Sequence, residues 1–270
     1  MKILVVGATG SIGSLVVEKG ISEGHKVRAL VRSESKARQL PSDAEAVIGD
    51  LTRPETLSAA VDGVDAIVFT HGSDGGGKAA SESVDYGGVR NILAALGSRS
   101  VRIALMTAIG VTNRTGAHNR STEAHDWKRR SERLVRASGM PYTIVRPGWF
   151  DYNAPGERKL VLLQGDKRQS GTPSDGAVSR EQLAEVLLRS LSSDQAIRKT
   201  FELVSTRGPA QDDFSELFAA LTPDPEDALD PVAGTANMPL NMEPERVRQD
   251  LDAVKARYSG KVSRTKRDMQ

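Results

Sequence analysis

The sequence predicts an α/β protein built on a parallel sheet with helices on both of its faces. Short apolar runs rich in Val, Ile and Leu alternate with segments of helical periodicity over most of the chain, a pattern typical of strand–helix–strand crossover units. A glycine-rich turn at residues 7–13 follows the first apolar run. Prolines and acidic residues become frequent only after about residue 207, where the alternation ends. These observations predict one sheet domain followed by an irregular extension.

The apolar runs predict the strands, and helical stripes lie between them. Strands are predicted at residues 2–6, 26–31, 45–49, 65–70, 101–107, 142–146 and 201–204. Apolar and small residues recur at helical spacing along 89–96 and 124–138. A further helix is predicted over 179–191, because Ser179-x-x-Gln182 has the form of a capping box. Right-handed crossovers between these elements give a doubly wound sheet.

The chain is predicted to divide into a sheet domain over residues 1–206 and a smaller C-terminal extension over residues 207–270. The extension is rich in Pro and Asp, with Thr-Pro-Asp-Pro-Glu-Asp at 222–227, and its prolines forbid long regular elements. Two amphipathic helices are predicted inside it, around 214–221 and 243–258. We expect the extension to pack on the sheet domain or on a partner subunit, which leaves a homodimer open.

Composition excludes several classes of function. The chain carries 37 basic and 35 acidic side chains, a net charge of +2, which does not indicate a nucleic-acid partner. No apolar run approaches the ~18 residues of a membrane span, and Met1-Lys2 leads directly into Ile3 without a secretory pattern. We therefore expect a cytoplasmic protein with no membrane partner. There is no cysteine, and the four histidines lack metal-ligand spacing, so we expect no metal site and any redox chemistry would come from a cofactor.

The turn Gly7-Ala-Thr-Gly10-Ser-Ile-Gly13 carries the strongest chemical signal. It follows a strand and opens a helix, so its backbone N–H groups and the positive end of the helix dipole can face a phosphate. Three glycines permit a tight turn, close approach of a diphosphate and close helix packing. The turn predicts a Rossmann-type dinucleotide site. The residues expected to contact the cofactor there are Gly7, Thr9, Gly10, Ser11, Ile12 and Gly13.

The end of the second predicted strand bears on which dinucleotide is bound. An acidic residue there would bind the ribose 2′-hydroxyl and repel a 2′-phosphate, but the chain has Arg32, Ser33 and Lys36 instead. A guanidinium, a hydroxyl and an ammonium suit a phosphate monoester. The sequence therefore favours NADP (NADPH) over NAD.

Further segments also lie at or beside the carboxyl ends of predicted strands, where an open α/β sheet binds its ligand. They are Leu30-Val-Arg32, Gly49-Asp50-Leu51, Phe69-Thr-His-Gly-Ser73, Val84-Asp-Tyr-Gly87, Met106-Thr-Ala108 and Ser138-Gly-Met-Pro-Tyr-Thr-Ile-Val-Arg-Pro-Gly148. With the glycine turn, they make residues 1 to about 204 resemble the atypical short-chain dehydrogenase/reductase superfamily, in its NmrA-like, NAD(P)H-binding branch. The set is specific for the superfamily but not for one reaction.

The resemblance implies roles for individual residues. On the adenosine side, the implied contacts are Asp50 and Leu51 beside the adenine, and Thr70, His71 and Gly72 along the adenosine and ribose. Thr107 would stand near the nicotinamide in place of the usual serine, and Lys128 would contact the nicotinamide ribose. The residues that would border the nicotinamide pocket are Pro147, Gly148, Trp149 and Phe150.

One departure from the superfamily bears on catalysis. Many members place a tyrosine four residues before the lysine as the proton donor to a carbonyl, whereas this chain has Ala124. With Thr107 in place of serine, the usual Ser-Tyr-Lys relay is broken. His125 would share a helix face with Lys128 and is a substitute acid, so the catalytic candidates are Thr107, Lys128 and His125. Weaker candidate acids in neighbouring segments are His118, Asp126 and Tyr152.

Three functions of different classes follow from these residues. The first is an NADPH-dependent oxidoreductase that transfers hydride to a small-molecule substrate, conjugated or resembling a quinone or flavin, whose reduction needs little enzymatic acid. The second is a non-catalytic NADP(H)-binding redox sensor, which the missing tyrosine favours and the retained Thr107 and Lys128 oppose. The third is a nucleotide-sugar type epimerase or dehydratase, disfavoured because reversible alcohol oxidation needs a base.

Overall fold

The computed structural model describes the backbone of residues 1–73 and 75–265. The described strands are β1 (Lys2–Val6), β2 (Lys26–Val31), β3 (Glu45–Ile48), β4 (Ala66–Phe69), β5 (Arg102–Met106), β6 (Tyr142–Pro147), β7 (Trp149–Phe150), β8 (Lys159–Leu163), β9 (Ala177–Val178) and β10 (Lys199–Thr206). The described helices are α1 (Gly13–Ser22), α2 (Glu34–Ala37), α3 (Ser58–Val61), α4 (Gly77–Ala80), α5 (Gly87–Leu96), α6 (Ala117–Thr122), α7 (Ala124–Ala137), α8 (Arg180–Ser192), α9 (Phe214–Ala219) and α10 (Glu245–Thr265). A π-helical segment, Ser81–Tyr86, joins α4 to α5.

The main sheet has the strand order β3-β2-β1-β4-β5-β6-β10-β8. Its neighbouring strands are parallel except for β8, which pairs antiparallel with β10 at the edge. From β1 the chain adds β2 and β3 towards one edge of the sheet, and then returns to place β4 on the other side of β1 and continues towards the opposite edge. The direction in which strands are added therefore reverses between β1 and β4. An open sheet has its ligand crevice at such a point. The predicted doubly wound α/β fold is confirmed.

Helices cover the sheet on both faces. In β1, Leu4 and Val6 pack in the cluster that includes α5, α7 and α10, whereas Ile3 and Val5 pack in the cluster with α1 and α8. A central parallel strand is buried on both faces and is therefore an uninterrupted apolar run. This is why the central strands can be predicted from the sequence. Within the described residues, no helix has both the length and the apolar character that a membrane span requires.

The sequence does not predict strands β7, β8 and β9. β7 and β9 have two residues each and pair with one another, so they are too short to show a periodic pattern. β8 is a five-residue strand, Lys-Leu-Val-Leu-Leu, and its apolar run was a usable signal. Its antiparallel place beside β10 breaks the strand–helix alternation on which the other assignments depend.

The predicted helical stripes and cap are confirmed. The apolar positions of 89–96 are buried in α5, and the stripe at 124–138 lies in α7. Ser179 Oγ accepts a hydrogen bond from the backbone N–H of Gln182 at 3.2 Å, which caps α8 as a capping box requires. In the extension, α9 and α10 occupy the two segments predicted to be amphipathic helices. The expectation that prolines forbid a long regular element is wrong for α10, which has 21 residues, because it begins directly after Pro244, the last proline of the chain.

Helix α7 is also buried on the side away from its apolar stripe. Four of its arginines are almost fully buried against the extension: Arg129, Arg130, Arg133 and Arg136. Arg133 lies 2.7 Å from Asp230 and 3.3 Å from Glu243, and Arg130 lies 2.6 Å from Glu243. The acidic residues that follow β10 thus neutralise a basic helix face of the same chain. The sequence alone does not distinguish this buried arginine face from one exposed to solvent.

Replacing Glu243 with alanine is expected to lower the free energy of unfolding by about 3 kcal/mol, because Arg130 and Arg133 would lose a buried counter-charge. Urea denaturation followed by circular dichroism measures the change. Arg53→Ala is the control and should leave the midpoint unchanged, because Arg53 and its partner Glu55 are both largely exposed. A wild-type midpoint for Glu243→Ala would contradict this account of the extension.

Candidate cofactor and active site

A cleft of about 1060 Å³ opens at the carboxyl ends of the parallel strands. Loops that follow β1 through β6 form its walls, as the reversal of strand order predicts. All but two of the predicted cofactor and catalytic residues line it. Those lining the cleft are Gly7, Thr9, Gly10, Ser11, Ile12, Arg32, Lys36, Asp50, Leu51, Thr70, His71, Gly72, Thr107, His125, Lys128, Pro147, Gly148, Trp149 and Phe150.

The two predicted residues outside the lining, Gly13 and Ser33, shape the cleft from behind. A Cβ on Gly13 would lie 2.0 Å from the carbonyl oxygen of Gly7, so glycine here lets α1 begin directly against the turn. Ser33 Oγ accepts a hydrogen bond from the backbone N–H of Lys36 and caps α2. That cap orients the turn that carries Lys36. Direct contact of Gly13 and Ser33 with a cofactor stays a prediction.

The glycine turn presents backbone donors to the cleft. Gly7 has a φ of +88°, and a Cβ there would lie 2.7 Å from the backbone nitrogen of His71, so the residue must be glycine where β1 and β4 end side by side. The N–H of Gly10 closes the turn onto the Gly7 carbonyl at 2.9 Å. Among the described residues, no backbone carbonyl accepts from the N–H of Ser11 or Ile12. Free donors at the start of a helix fit the diphosphate of a dinucleotide.

Two cations stand at the end of the cleft beyond β2. Arg32 is exposed, and Lys36 donates to the side-chain oxygen of Gln39 at 3.3 Å. Asp50, which follows β3, accepts hydrogen bonds from the backbone N–H and the hydroxyl of Thr52, both at 2.8 Å. The backbone hydrogen bond from Thr52 is the main cause that lowers the pKa of Asp50, and the charge of Arg32 adds to it. This end of the cleft can therefore bind an anion while Asp50 stays ionised at its border.

His71 contributes a buried acceptor to the cleft. Its Nε2 lies 3.1 Å from the carbonyl oxygen of Val84 and must donate to it, which leaves Nδ1 without a proton. Nδ1 is buried and, in the described part of the chain, has no hydrogen-bond partner. Burial lowers the pKa of His71 to about 4, so the ring is neutral at physiological pH.

The hydroxyl of Thr107 is hydrogen-bonded to a buried carboxylate. Its Oγ1 lies 2.8 Å from Oε1 of Glu132. Burial by itself would raise the pKa of Glu132, but Arg146, which binds both carboxylate oxygens at 2.9 and 2.7 Å, lowers it to about 2. The ionised carboxylate can only accept hydrogen bonds. Thr107 therefore donates its one hydroxyl proton to Glu132 and presents lone pairs, not a donor, to the cleft.

Lys128 is held by an aspartate that the sequence motifs did not single out for this role. Its Nζ lies 2.7 Å from Oδ1 of Asp85. Asp85 is buried in the π-helical segment and also accepts from the backbone N–H and the hydroxyl of Ser73, at 3.1 and 2.7 Å. An ammonium has three donors, so Lys128 keeps donors for a ligand. One helical turn earlier, the side chain of Ala124 is buried and offers no proton.

His125 lies at the same end of the cleft as Lys128. Its ring centroid is 5.2 Å from that of His118, which also lines the cleft. Burial is the main cause that lowers the pKa of His125, so the ring is neutral at physiological pH and has one N–H. Its Nδ1 lies 3.5 Å from the carbonyl oxygen of Asn113, which can only accept, so the proton is on Nδ1 and directed at that carbonyl. The other two candidate acids lie outside the lining. Asp126 is bound by two nitrogens of Arg114 at 3.0 and 2.9 Å, and Tyr152 is exposed.

Trp149 and Phe150 form the apolar wall of the cleft. They make up β7, and Trp149 is 37% exposed. A Cβ on the preceding Gly148 would lie 2.4 Å from the carbonyl oxygen of Gly176, so glycine allows β7 to lie against β9. Aromatic side chains in a cleft can pack against a planar ring.

Other cleft residues come from loops distant in the sequence and were not predicted. They include Asn113, Gln169, Gly171 and Asp175. The carboxylate of Asp166 joins the loops by accepting from the backbone N–H groups of Gly110 and Thr112 at 2.6 and 2.7 Å. No spacing in the sequence signals this, because the loops meet only in the folded chain. Among the described residues, no group of three or more His, Cys, Asp or Glu side chains is placed to hold a metal ion.

A family model described as NAD(P)H-binding matches residues 7–194. The chain belongs to this NAD(P)H-binding family. The matched region includes the glycine turn, Lys128 and the apolar wall. The resemblance to NmrA-like atypical short-chain dehydrogenases/reductases is confirmed.

Relatives of the chain carry names of different functional kinds. Sanguinarine reductase of Eschscholzia californica is 29% identical over 265 residues, covering 82% of this chain and 96% of the relative. An uncharacterized sugar epimerase of Bacillus subtilis is 30% identical over 222 residues, covering 80% of this chain and 100% of the relative. Photosystem II assembly factor Ycf39 of Synechocystis is 27% identical over 210 residues, covering 77% of this chain and 63% of the relative. Family membership therefore does not select one reaction.

Solved structures share the fold. An anaerobillin reductase from Escherichia coli O157:H7 superposes with a TM-score of 0.62 at 22% identity, covering 78% of this chain and 100% of that chain. A short-chain dehydrogenase/reductase from Veillonella parvula, solved in complex with NADP, has a TM-score of 0.58 at 18% identity, covering 78% and 99%. At these identities the likeness establishes the fold alone.

His71 is expected to stay neutral in the folded protein down to about pH 5, because its pKa is lowered to about 4. The unfolded chain then binds more protons than the folded chain between the ordinary pKa of 6.5 and about 4, so this residue makes stability fall as pH decreases through that window. Histidine NMR titration measures the pKa, and His71→Gln identifies the signal. A His71 signal that titrates near 6.5 would contradict the buried, unpartnered Nδ1.

Proposed function

We propose that the chain is an NADPH-dependent reductase that transfers hydride to a small planar acceptor, conjugated or resembling a quinone or flavin. The observation that carries this proposal is the hydrogen bond from Thr107 to Glu132, together with alanine at position 124. Neither residue can donate a proton to a substrate carbonyl. An acceptor that delocalises the charge left by hydride addition needs no such donor, so this class of substrate suits the site.

The residues of the cleft fit a nicotinamide dinucleotide. The free N–H groups of Ser11 and Ile12 match a diphosphate, and Arg32 and Lys36 at one end of the cleft match a further phosphate. When bound, the dinucleotide supplies the hydride.

The chain itself would orient the reactants. Thr107 accepts a hydrogen bond, as from an amide N–H, and Lys128 donates one while Asp85 fixes its position. Trp149 and Phe150 give a planar acceptor an apolar face and exclude water from that side. The proton that follows the hydride comes from Nζ of Lys128 or from solvent.

We also propose that NADP is preferred over NAD. Arg32 and Lys36 line the end of the cleft beyond β2, and neither is paired with a carboxylate among the described residues. A 2′-phosphate would give both cations a partner. The carboxylate of Asp50 at the same border is already bound by Thr52.

A redox sensor that binds NADP(H) without turnover is the second candidate. The same loss of proton donors at positions 107 and 124 favours it, because a sensor needs the cofactor site but no acid. The epimerase alternative is not proposed. Lys128 is paired with Asp85, and position 124 has no phenol to act as the base that alcohol oxidation requires.

Lys128→Met is expected to lower kcat/KM for NADPH oxidation by roughly tenfold or more against a panel of quinones, flavins and enals, because a charged donor to the cofactor is lost. Lys78→Ala is the control, since Lys78 is exposed, pairs with Glu123 and does not line the cleft. Turnover that is equal in Lys128→Met and wild type would refute the role of Lys128. Tight NADPH binding by the wild type with no turnover on any acceptor would refute the reductase function and support the redox sensor.

Arg32→Ala is expected to weaken NADPH binding by roughly tenfold and to leave NADH binding unchanged, because the guanidinium would contact only the 2′-phosphate. Fluorescence titration with each nucleotide measures the two dissociation constants. Arg38→Ala serves as the control, because Arg38 is exposed near the same helix but lies outside the cleft lining. Equal losses for NADPH and NADH would contradict the assignment of the 2′-phosphate to Arg32.

A further inference from the structure

The distribution of cations in the cleft leaves its middle uncharged. The Lys and Arg residues that line it are Arg32 and Lys36 at the end beyond β2 and Lys128 at the opposite end. Between them, the glycine turn offers backbone N–H groups and the helix dipole, which together amount to about half a positive charge. The diphosphate of a dinucleotide carries a full negative charge on each phosphate. A further cation at this position would balance it.

Arg180, the first residue of α8, lies beside the glycine turn and just outside the residues that line the cleft. Its Nε donates to Oγ of Ser11 at 3.3 Å. Ser11 lines the cleft and has a backbone N–H free of any backbone acceptor among the described residues. A phosphate bound by that N–H would lie next to the guanidinium.

Two further contacts hold Arg180 at this place. Its guanidinium carbon lies 5.1 Å from the ring centroid of Phe150, which is part of the apolar wall. The guanidinium also pairs with the carboxylate of Asp151. Asp151 accepts the backbone N–H of Arg180 as well, at 3.0 Å, and so fixes the start of α8 against the end of β7. The side chain is half-buried, and a fork with five donors retains capacity for a ligand.

We propose that Arg180 is a ligand of the cofactor diphosphate and joins diphosphate binding to the Trp149–Phe150 wall. The inference rests on dinucleotide binding in this cleft. The guanidinium lies between the turn that binds phosphate and the wall that borders the planar acceptor. A diphosphate on the turn would therefore fix Arg180, and with it the ring of Phe150, in the position that the reaction needs.

The test compares nucleotide binding by the full-length wild type, Arg180→Gln and Arg180→Lys. NADPH and NADH are titrated alongside adenosine 2′-monophosphate, which has the adenine and the 2′-phosphate but no diphosphate. The control is Arg189→Gln, an arginine of the same helix that pairs with Glu23 and Glu185 rather than with the glycine turn. Thermal unfolding without ligand verifies that each variant folds as the wild type does.

The expected result is that Arg180→Gln weakens NADPH and NADH binding by about tenfold and leaves adenosine 2′-monophosphate unaffected, because a charge-assisted hydrogen bond to the diphosphate is lost. Arg180→Lys should retain part of the affinity, and Arg189→Gln all of it. Wild-type NADPH affinity in Arg180→Gln would overturn the proposal, as would equal weakening of all three ligands. A wild type that binds neither dinucleotide would overturn the cofactor assignment and, with it, the role of Arg180.

Discussion

The carboxylate of Glu132, buried in the middle of α7, joins that helix to three neighbouring strands of the sheet. It accepts hydrogen bonds from Thr107 after β5 and from Arg146 on β6, and Arg146 in turn contacts Glu202 on β10 at 3.2 Å. An ionised group in this position is tolerated because arginines surround it and every oxygen has a donor. Burial raises the pKa of Glu202 to about 7, so the network holds one carboxylate firmly ionised beside one that is poised to titrate. The orientation of the Thr107 hydroxyl, and hence the polarity of the cleft around Thr107 and Lys128, depends on this cluster.

The same helix explains why the chain carries its C-terminal extension. An arginine-rich helix packed under a protein segment is stable only if that segment brings matching acids. The extension does so with Asp224, Asp230 and Glu243, and α10 adds apolar contacts to α5 and α7. The arginines that the extension covers and the glutamate that orients Thr107 lie on one helix, so the packing of the extension and the geometry of the site are coupled.

The cleft combines a closely packed end at the glycine turn with a less constrained end around Thr107 and Lys128. Gly7 and His71 leave little freedom at the ends of β1 and β4, because their backbones lie almost in contact. The other end has Lys128 and a threonine but an alanine at position 124. A fold of this kind supports several chemistries by changing such side chains. That is consistent with relatives named as a reductase, an epimerase and an assembly factor.

The sequence by itself determined the fold class and the cofactor family. The turn at Gly7–Gly13 is local in the chain, and buried parallel strands and amphipathic helices have periodicities that are visible without a structure. It also placed most of the cleft residues, because strand ends converge at one edge of a parallel sheet. Only the tertiary structure decided which way Thr107 donates, what holds Lys128, and that the arginines of α7 are buried. The partner of Thr107 is 25 residues away in the chain, that of Lys128 is 43 residues away, and those of the α7 arginines are about a hundred residues away. Hydrogen-bond direction and charge pairing at such separations leave no periodic pattern in a single sequence.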